Sequence, residues 1–388
     1  MARRSRAGQF YDRYTSGLTS SDLERMFTRD APDAYRYFAR SLDLEALADE
    51  PWYRRWPIFV RRFLAAFTMK LSPARRVLFA VSLFTFVIGM LTLFRGFGVH
   101  SVLLFPLTIR LPLPEWEDGT FWLALAFLSA NLLILMEVAD RLSLKGELEV
   151  ARDIQQAMLP RGVQHADGAV VFGLTRPANT VGGDFYDILP QAEGRLVIAL
   201  GDVAGKGSPA ALLMALLLAM LRTLVDEGLE GARLITRLNA QVARHTPASR
   251  FITLFYAIYD PRDGTLTYVN AGHLPGILRR ADGHFERVGA DHNGLALGMF
   301  DHAEYEARAI TIAPGDLLVL YSDGITEAET RSGRPFEESG LEAVISAEAG
   351  ADPETLSRAV IRAVELHVDQ AKLADDLTTL VLKRQESA

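Results

Sequence analysis

Residues 181–187 read VGGDFYD, and residues 200–207 read LGDVAGKG. In each, an aspartate stands behind glycine at the edge of an apolar run, where a buried strand is expected to end. Burying an unpaired carboxylate costs several kcal/mol, so the pattern asks for a compensating positive charge. Two later stretches repeat it: Asp323 in YSDGITEA (321–328) and Asp375–Asp376 in ADDLTTL (374–380). Taken singly, Asp-Gly after a strand is an ordinary turn. Taken together, converging strands would put three or four carboxylates into one cleft, where they cannot all ionise without cations between them.

An all-oxygen donor set without histidine or cysteine points to Mg²⁺ or Mn²⁺, not zinc or copper. Two such ions can share a water, lower its pKa and aim it at phosphorus, while neutralising the phosphoryl oxygens. The backbone carbonyl of Val203 offers a neutral oxygen ligand, and Gly182, Gly183 and Gly201 allow close backbone approach. The chain has no cysteine, which excludes disulfides, thiolate metal sites and a cysteine nucleophile. A net charge of −7 argues against nucleic acid as a partner. GDVAGKGSPA superficially resembles a phosphate-cradling loop but lacks the four-residue gap after its first glycine.

At 388 residues the chain has room for several segments, of which four are expected. Residues 1–76 form a basic region with 15 Lys/Arg against 9 Asp/Glu, short amphipathic helices being expected near DAYRYFARSLDLEALADE (33–50). Its first residues lack the apolar stretch of a cleavable signal peptide. Residues 77–139 are expected to form a transmembrane hairpin, on two uncharged runs, 77–94 and 120–136, long enough to cross a bilayer. Lys/Arg crowd the segment before the first run, whereas the connection holds only Arg95 and Arg110, so both termini are expected in the cytoplasm. VHSVLLFPLTI (99–109) reads as an interfacial or re-entrant piece.

Residues 140–160 are expected to form a linker helix. Leu144, Leu148, Ala151, Gln155 and Met158 follow the four-and-three spacing of a coiled-coil seam, and a helix packed on the downstream domain explains the spacing equally. Residues 161–388 read as one α+β domain, a β-sandwich with helices outside. Strands are expected in AVVFGLTRP, RLVIALGDV, RFITLFYAIYD, GTLTYVNAG, DLLVLYSDG and LTTLVLK. A helix is expected to start with Ser208 as N-cap and Pro209 at its first helical position, its apolar body buried in the core.

In this order and spacing, VGGDFYD, GDVAGKG, NAGH (270–273), YSDGITEA and DDLT resemble the metal-dependent PPM-type serine/threonine phosphatases. The likeness is to the bacterial subgroup of the sporulation stage II E and stress-response phosphatases, and ARDIQQAMLP (151–160) resembles that subgroup's linker. The resemblance covers about residues 145–385. It implies a β-sandwich with a centre of two Mn²⁺ or Mg²⁺ ions at one end. It makes Asp184 and Asp202 the core metal ligands, Asp202 bridging, with Asp323 and Asp375 as the later ligands and Asp376 as the fallback. It further implies hydrolysis of phosphoserine or phosphothreonine on a protein, typically an anti-anti-sigma-type regulator. Asp187 either lies near the metals or caps its strand. Lys206 either attracts phosphate or is a solvated turn lysine. His273 reads either as a general acid at the substrate or as part of an Asn270–His273 turn, and Arg176 is a candidate for holding the phosphate.

Overall fold

The computed structural model describes residues 51–385 apart from positions 96, 105, 106, 115, 116, 248, 249, 292 and 370–372. The helices expected in 33–50 lie outside the described residues. The described residues fall into two compact units, divided after Leu142.

In the first unit, helix α1 (Trp52–Lys70) is followed by α2 (Pro73–Arg95), and strands β1 (Phe97–Leu104) and β2 (Leu107–Pro114) form an antiparallel hairpin. The stretch 99–109, expected to be an interfacial or re-entrant piece, belongs to this β-hairpin, whose strands satisfy their backbone groups by pairing. Helix α3 (Glu117–Met158) then runs for 42 residues, the second apolar run and the linker being one helix. No proline interrupts it, and Gly146 alone does not break it. The paired helices α2 and α3 approach closely at small residues. A Cβ on Gly89 would lie 2.8 Å from the Leu123 side chain, and one on Gly119 would lie 3.0 Å from the Leu93 backbone. Ser82 donates to the Ala126 carbonyl (3.1 Å), while Phe84, Leu91, Phe127, Leu128 and Leu135 point outward, exposed. Small residues inside and bulky apolar ones outside are the pattern of helices packed in lipid.

The second unit follows from strands that are apolar on both faces. It comprises β3 (Gln164–Ala166), β4 (Ala169–Arg176), β5 (Phe185–Pro190), β6 (Leu196–Val203), β7 (Ile252–Asp260) and β8 (Thr265–Ala271). There follow β9 (Gly276–Arg279), β10 (Phe285–Val288), β11 (Asn293–Gly294), β12 (Arg308–Thr311), β13 (Leu317–Tyr321) and β14 (Leu377–Arg384). One sheet has the order β10-β9-β13-β14-β4-β3; the other runs β11-β8-β7-β6-β5, with β12 also on β8. Helices α4 (Ser208–Asp226) and α5 (Gly231–His245) cover the second sheet. The short α6 (Asp323–Thr326) follows β13, and α7 (Glu337–Ala347) leads to α8 (Pro353–Val368), which covers the first sheet.

Alternation in β13 shows how the layers form. Leu318 and Leu320 enter the core between the sheets, whereas Leu317, Val319 and Tyr321 enter the core under α7 and α8. A strand buried on both sides reads as a continuous apolar run, which is why these strands were legible. Helix α4 begins at Ser208 with Gly207 (φ 75°) as its N-cap and no side-chain cap, so the expected Ser208 cap is displaced by one residue. It buries Met214, Leu217, Leu218 and Leu221 but leaves Leu212 72% exposed, so it lies outside the sandwich with one apolar flank uncovered.

Gly173 in β4 lets the two sheets meet, because a Cβ there would strike the ring of Tyr186 in β5. Gly173→Ala should therefore overpack the core and lower unfolding stability by about 1–3 kcal/mol, read as a shifted urea midpoint at unchanged slope.

Candidate metal centre and active site

Antiparallel pairing gathers the aspartates. Phe185, the first residue of β5, pairs with Gly201 near the end of β6, which sets Asp184 beside Asp202. In the other sheet Tyr321, the last residue of β13, pairs with Thr379 near the start of β14, which sets Asp323 beside Asp375 and Asp376. Both pairs stand at strand ends, where side chains can leave the core.

Their electrostatics show the crowding. Asp184 is buried, and its pKa lies well above the usual carboxylate range. Burial contributes most, then the Asp202 charge, while the Ser322 and Thr378 hydroxyls pull it down. Asp202 is pushed up to about 6 by burial and then by Asp323, against a hydrogen bond with Asp184. Asp323 is raised by burial and then by Asp375. The four carboxyl groups thus form a chain of interacting neighbours from one sheet to the other. Asp376 is used differently: its carboxylate accepts from the backbone N–H groups of Ala178 (2.8 Å) and Gly183 (2.7 Å). It fixes the glycine loop, whereas Asp375 Oδ2 faces Lys206 Nζ at 2.8 Å.

Oxygen donors of this kind suit a hard divalent cation. Two observations fit such an ion: Asp184 Oδ2 is buried without a hydrogen-bond partner, and the loop backbone passes tightly over the other donors. A Cβ on Gly183 would lie 3.0 Å from the Val203 carbonyl oxygen and 3.1 Å from Asp202 Oδ1. Among the described residues no three acidic side chains close around one ion position, so the groups interact as neighbouring pairs. Beside them opens a cavity of about 710 Å³ whose lining includes Lys206, Gly324, Glu327, Leu373 and Asp375.

The remaining expected residues are placed as follows. Lys206 is at this cavity and also donates to the Ala374 carbonyl (2.6 Å). Arg176 forms an ion pair with Glu365 of α8. His273 is 4% exposed; its Nδ1 lies 3.0 Å from Thr253 Oγ1 and its Nε2 3.1 Å from the Tyr321 carbonyl. Asp187 is fully buried within β5 and paired with Arg222 of α4 (2.8 Å), so it neither caps the strand nor joins the other aspartates. Arg222 also donates to the Met158 carbonyl (2.6 Å), holding the end of α3.

Two partners, Arg222 and Gln155, were not singled out in the sequence for this role. Gln155 was placed on a helical seam, yet its buried amide makes a reciprocal pair with Gly182, donating to the carbonyl (2.7 Å) and accepting from the N–H (3.1 Å). A polar residue at a seam position was the available signal. Its burial, with Met158 half-buried, shows this part of the seam packed within the second unit.

The two-sheet fold is shared with solved PP2C-type phosphatase domains. The SiaA-PP2C domain of Pseudomonas aeruginosa matches with a TM-score of 0.55 at 21% identity, over 63% of this chain and 98% of that one. The RsbU and RsbW domains of Rv1364c from Mycobacterium tuberculosis match with a TM-score of 0.50 at 27% identity, over 57% and 62%. The sequence profile described as Stage II sporulation protein E (SpoIIE) matches residues 192–385. Phosphoserine phosphatase RsbU of Bacillus subtilis (strain 168) is 32% identical over 243 residues, 62% of this chain and 71% of RsbU. Protein IcfG of Synechocystis sp. is 29% identical over 65% of this chain but only 43% of its own length. The chain belongs to the SpoIIE family.

Arg222→Met should cost about 3–5 kcal/mol, because it leaves Asp187 charged, buried and unpaired. Adding Asp187→Asn should recover much of that loss, as a double-mutant cycle in urea would show. Burial holds His273 down at about 4. Its ordinary value is about 6.5, so between these values the unfolded chain binds the extra proton. Its contribution is therefore complete above about pH 6.5 and declines by about 3 kcal/mol as the pH falls towards 4. Compared with wild type, His273→Gln should show a shallower loss of stability over that window.

Proposed function

We propose that this chain is a membrane-anchored protein serine/threonine phosphatase that hydrolyses phosphoserine or phosphothreonine with two divalent ions, Mn²⁺ or Mg²⁺. The observation that carries the reading is the row Asp184–Asp202–Asp323–Asp375, assembled from both sheets, with the buried Asp184 Oδ2 unpartnered. These residues and the Val203 carbonyl would hold the ions. Asp202, with Asp184 on one side and Asp323 on the other, is the carboxylate suited to bridge them. When bound, the ions supply an activated water and neutralise charge on the phosphoryl oxygens.

The chain's own residues do the rest. Asp376 and Gln155 both hold the glycine loop by its backbone and so fix Asp184. Lys206, half exposed at the mouth of the 710 Å³ cavity, draws in a phosphorylated side chain. The cavity receives residues flanking the phosphate. Arg176, committed to Glu365, is a weaker candidate for that grip.

The similarity to RsbU and RsbP, both named phosphoserine phosphatases, supports phosphoserine as the group removed, and an anti-anti-sigma-type regulator is the substrate class that the motif resemblance implies. Helices α2 and α3 are apolar and long enough to cross a bilayer, which supports a membrane anchor; α4 also meets that criterion, but one face of it belongs to the core. The two-span arrangement with cytoplasmic termini rests on the Lys/Arg excess before residue 77. The linker part of α3 exposes Val150 (60%) and Ile154 (59%), one helical turn apart, an apolar edge on which two copies could pair. Through Gln155 and Gly182, a change in that helix reaches the loop that carries Asp184.

Release of inorganic phosphate from a phosphoserine peptide with Mn²⁺ tests the reading. Wild type should turn over, and Asp202→Asn should lose at least about 100-fold in kcat. Equal turnover by the two proteins would overturn it.

A further inference from the structure

The NAGH turn, residues 270–273, is built with more care than a loop requires. Asn270 Oδ1 accepts from the His273 N–H (2.9 Å), and Asn270 Nδ2 donates to the His273 carbonyl (3.0 Å). Gly272 has φ +74°, and a Cβ there would lie 2.8 Å from the Ala296 backbone. The outcome is an imidazole held between the sheets with both nitrogens engaged. A carbonyl can only accept, so Nε2 carries the proton towards Tyr321 and Nδ1 accepts from the Thr253 hydroxyl.

Those two partners are adjacent to the aspartates. Thr253 of β7 is the register partner of Asp202 in β6, and its hydroxyl lies 3.4 Å from the Asp202 carbonyl. Tyr321 is the last residue of β13, two before Asp323. We propose that His273 is a positioning residue: a strut between the sheets that sets the spacing of Asp202 and Asp323 and thereby the affinity of the site for its divalent ions. The inference rests on the metal-centre reading above. Neither ring nitrogen bonds an aspartate: one faces Thr253 Oγ1 and the other the Tyr321 carbonyl. The ring acts through the two strand ends, as supporting hydrogen bonds do at metal sites, where their loss costs about 10–100-fold in affinity.

Direct binding, which needs no turnover, tests the strut: free Mn²⁺ is measured by its electron paramagnetic resonance signal during titration of the full chain in detergent. His273→Ala should weaken Mn²⁺ binding by about 10-fold or more. Thr253→Val keeps the volume, removes only the hydroxyl and should weaken binding in the same direction. The double variant should be no worse than His273→Ala alone, since both remove one link. In turnover of the phosphoserine peptide, kcat at limiting Mn²⁺ should fall with KM unchanged, and excess Mn²⁺ should restore it. Thr253→Val decides the matter should His273→Ala fail to fold. Unaltered Mn²⁺ affinity in folded variants, beside a wild type that binds the ion, would overturn the strut alone. A wild type that binds no Mn²⁺ would overturn the metal centre and the strut with it.

Discussion

The structure of the second unit is governed by the cost of collecting carboxyl groups at one edge of a sandwich. Asp184, Asp202 and Asp323 all have raised pKa values, with burial as the first cause and another aspartate as the second. A carboxyl whose folded pKa exceeds its unfolded value keeps its proton longer in the folded chain. Stability from these groups is therefore greatest below about pH 4, the unfolded value, and is lost as the pH rises through the folded values, about 6 for Asp202. At neutral pH the aspartates oppose folding until a cation joins them. A sandwich with two extensive cores can tolerate that opposition, because the strands continue past the charged edge into fully apolar layers.

Neighbouring aspartates meet different fates, and the difference is physical. Asp375 and Asp376 adjoin, yet Asp376 gives its carboxylate to loop N–H groups while Asp375 stays half-buried beside Lys206. Asp184 and Asp187 are three residues apart. The first lacks a partner for Oδ2, whereas the second has the Arg222 guanidinium on both oxygens. Sequence alone presents six aspartates in these motifs: Asp184, Asp187, Asp202, Asp323, Asp375 and Asp376. Only backbone donors and a single arginine separate those that build the loop and core from those left to meet a ligand.

The same reasoning sets what could be read beforehand. Six strands were legible because Val, Ile, Leu and aromatic side chains fill both of their faces, as in AVVFGLTR and ITLFYAIYD. Strand β5, FYDILP, was missed: a charged residue lies at its centre and proline at its end, and only the Asp187–Arg222 pair makes that tolerable. Strands β9, β10 and β12 are four residues each, too short for an alternating pattern to register. The second apolar run and the linker, read as separate segments, form one helix, since nothing between Met136 and Lys145 stops it. For the site, glycine-flanked aspartates were visible as motifs, but Gln155, Arg222 and Thr253 act through partners 27, 35 and 20 residues distant. No local pattern encodes such pairs.

Two restraints of opposite kind converge on the aspartates. The imidazole of His273 joins strand ends that are already embedded in sheets, and its partners are fixed by register. It can hold a distance but has little freedom to change it. Gln155, by contrast, grips Gly182 from a helix whose preceding turns are largely exposed, with Leu144, Val150 and Ile154 uncovered. Its hold on the loop depends on how the helix is seated, and Arg222 on the Met158 carbonyl is the neighbouring fastening. A site that needs a constant spacing between sheets and an adjustable loop over one of its donors would be built in this way. The rigid restraint belongs to the sandwich, and the adjustable one belongs to the helix that enters it.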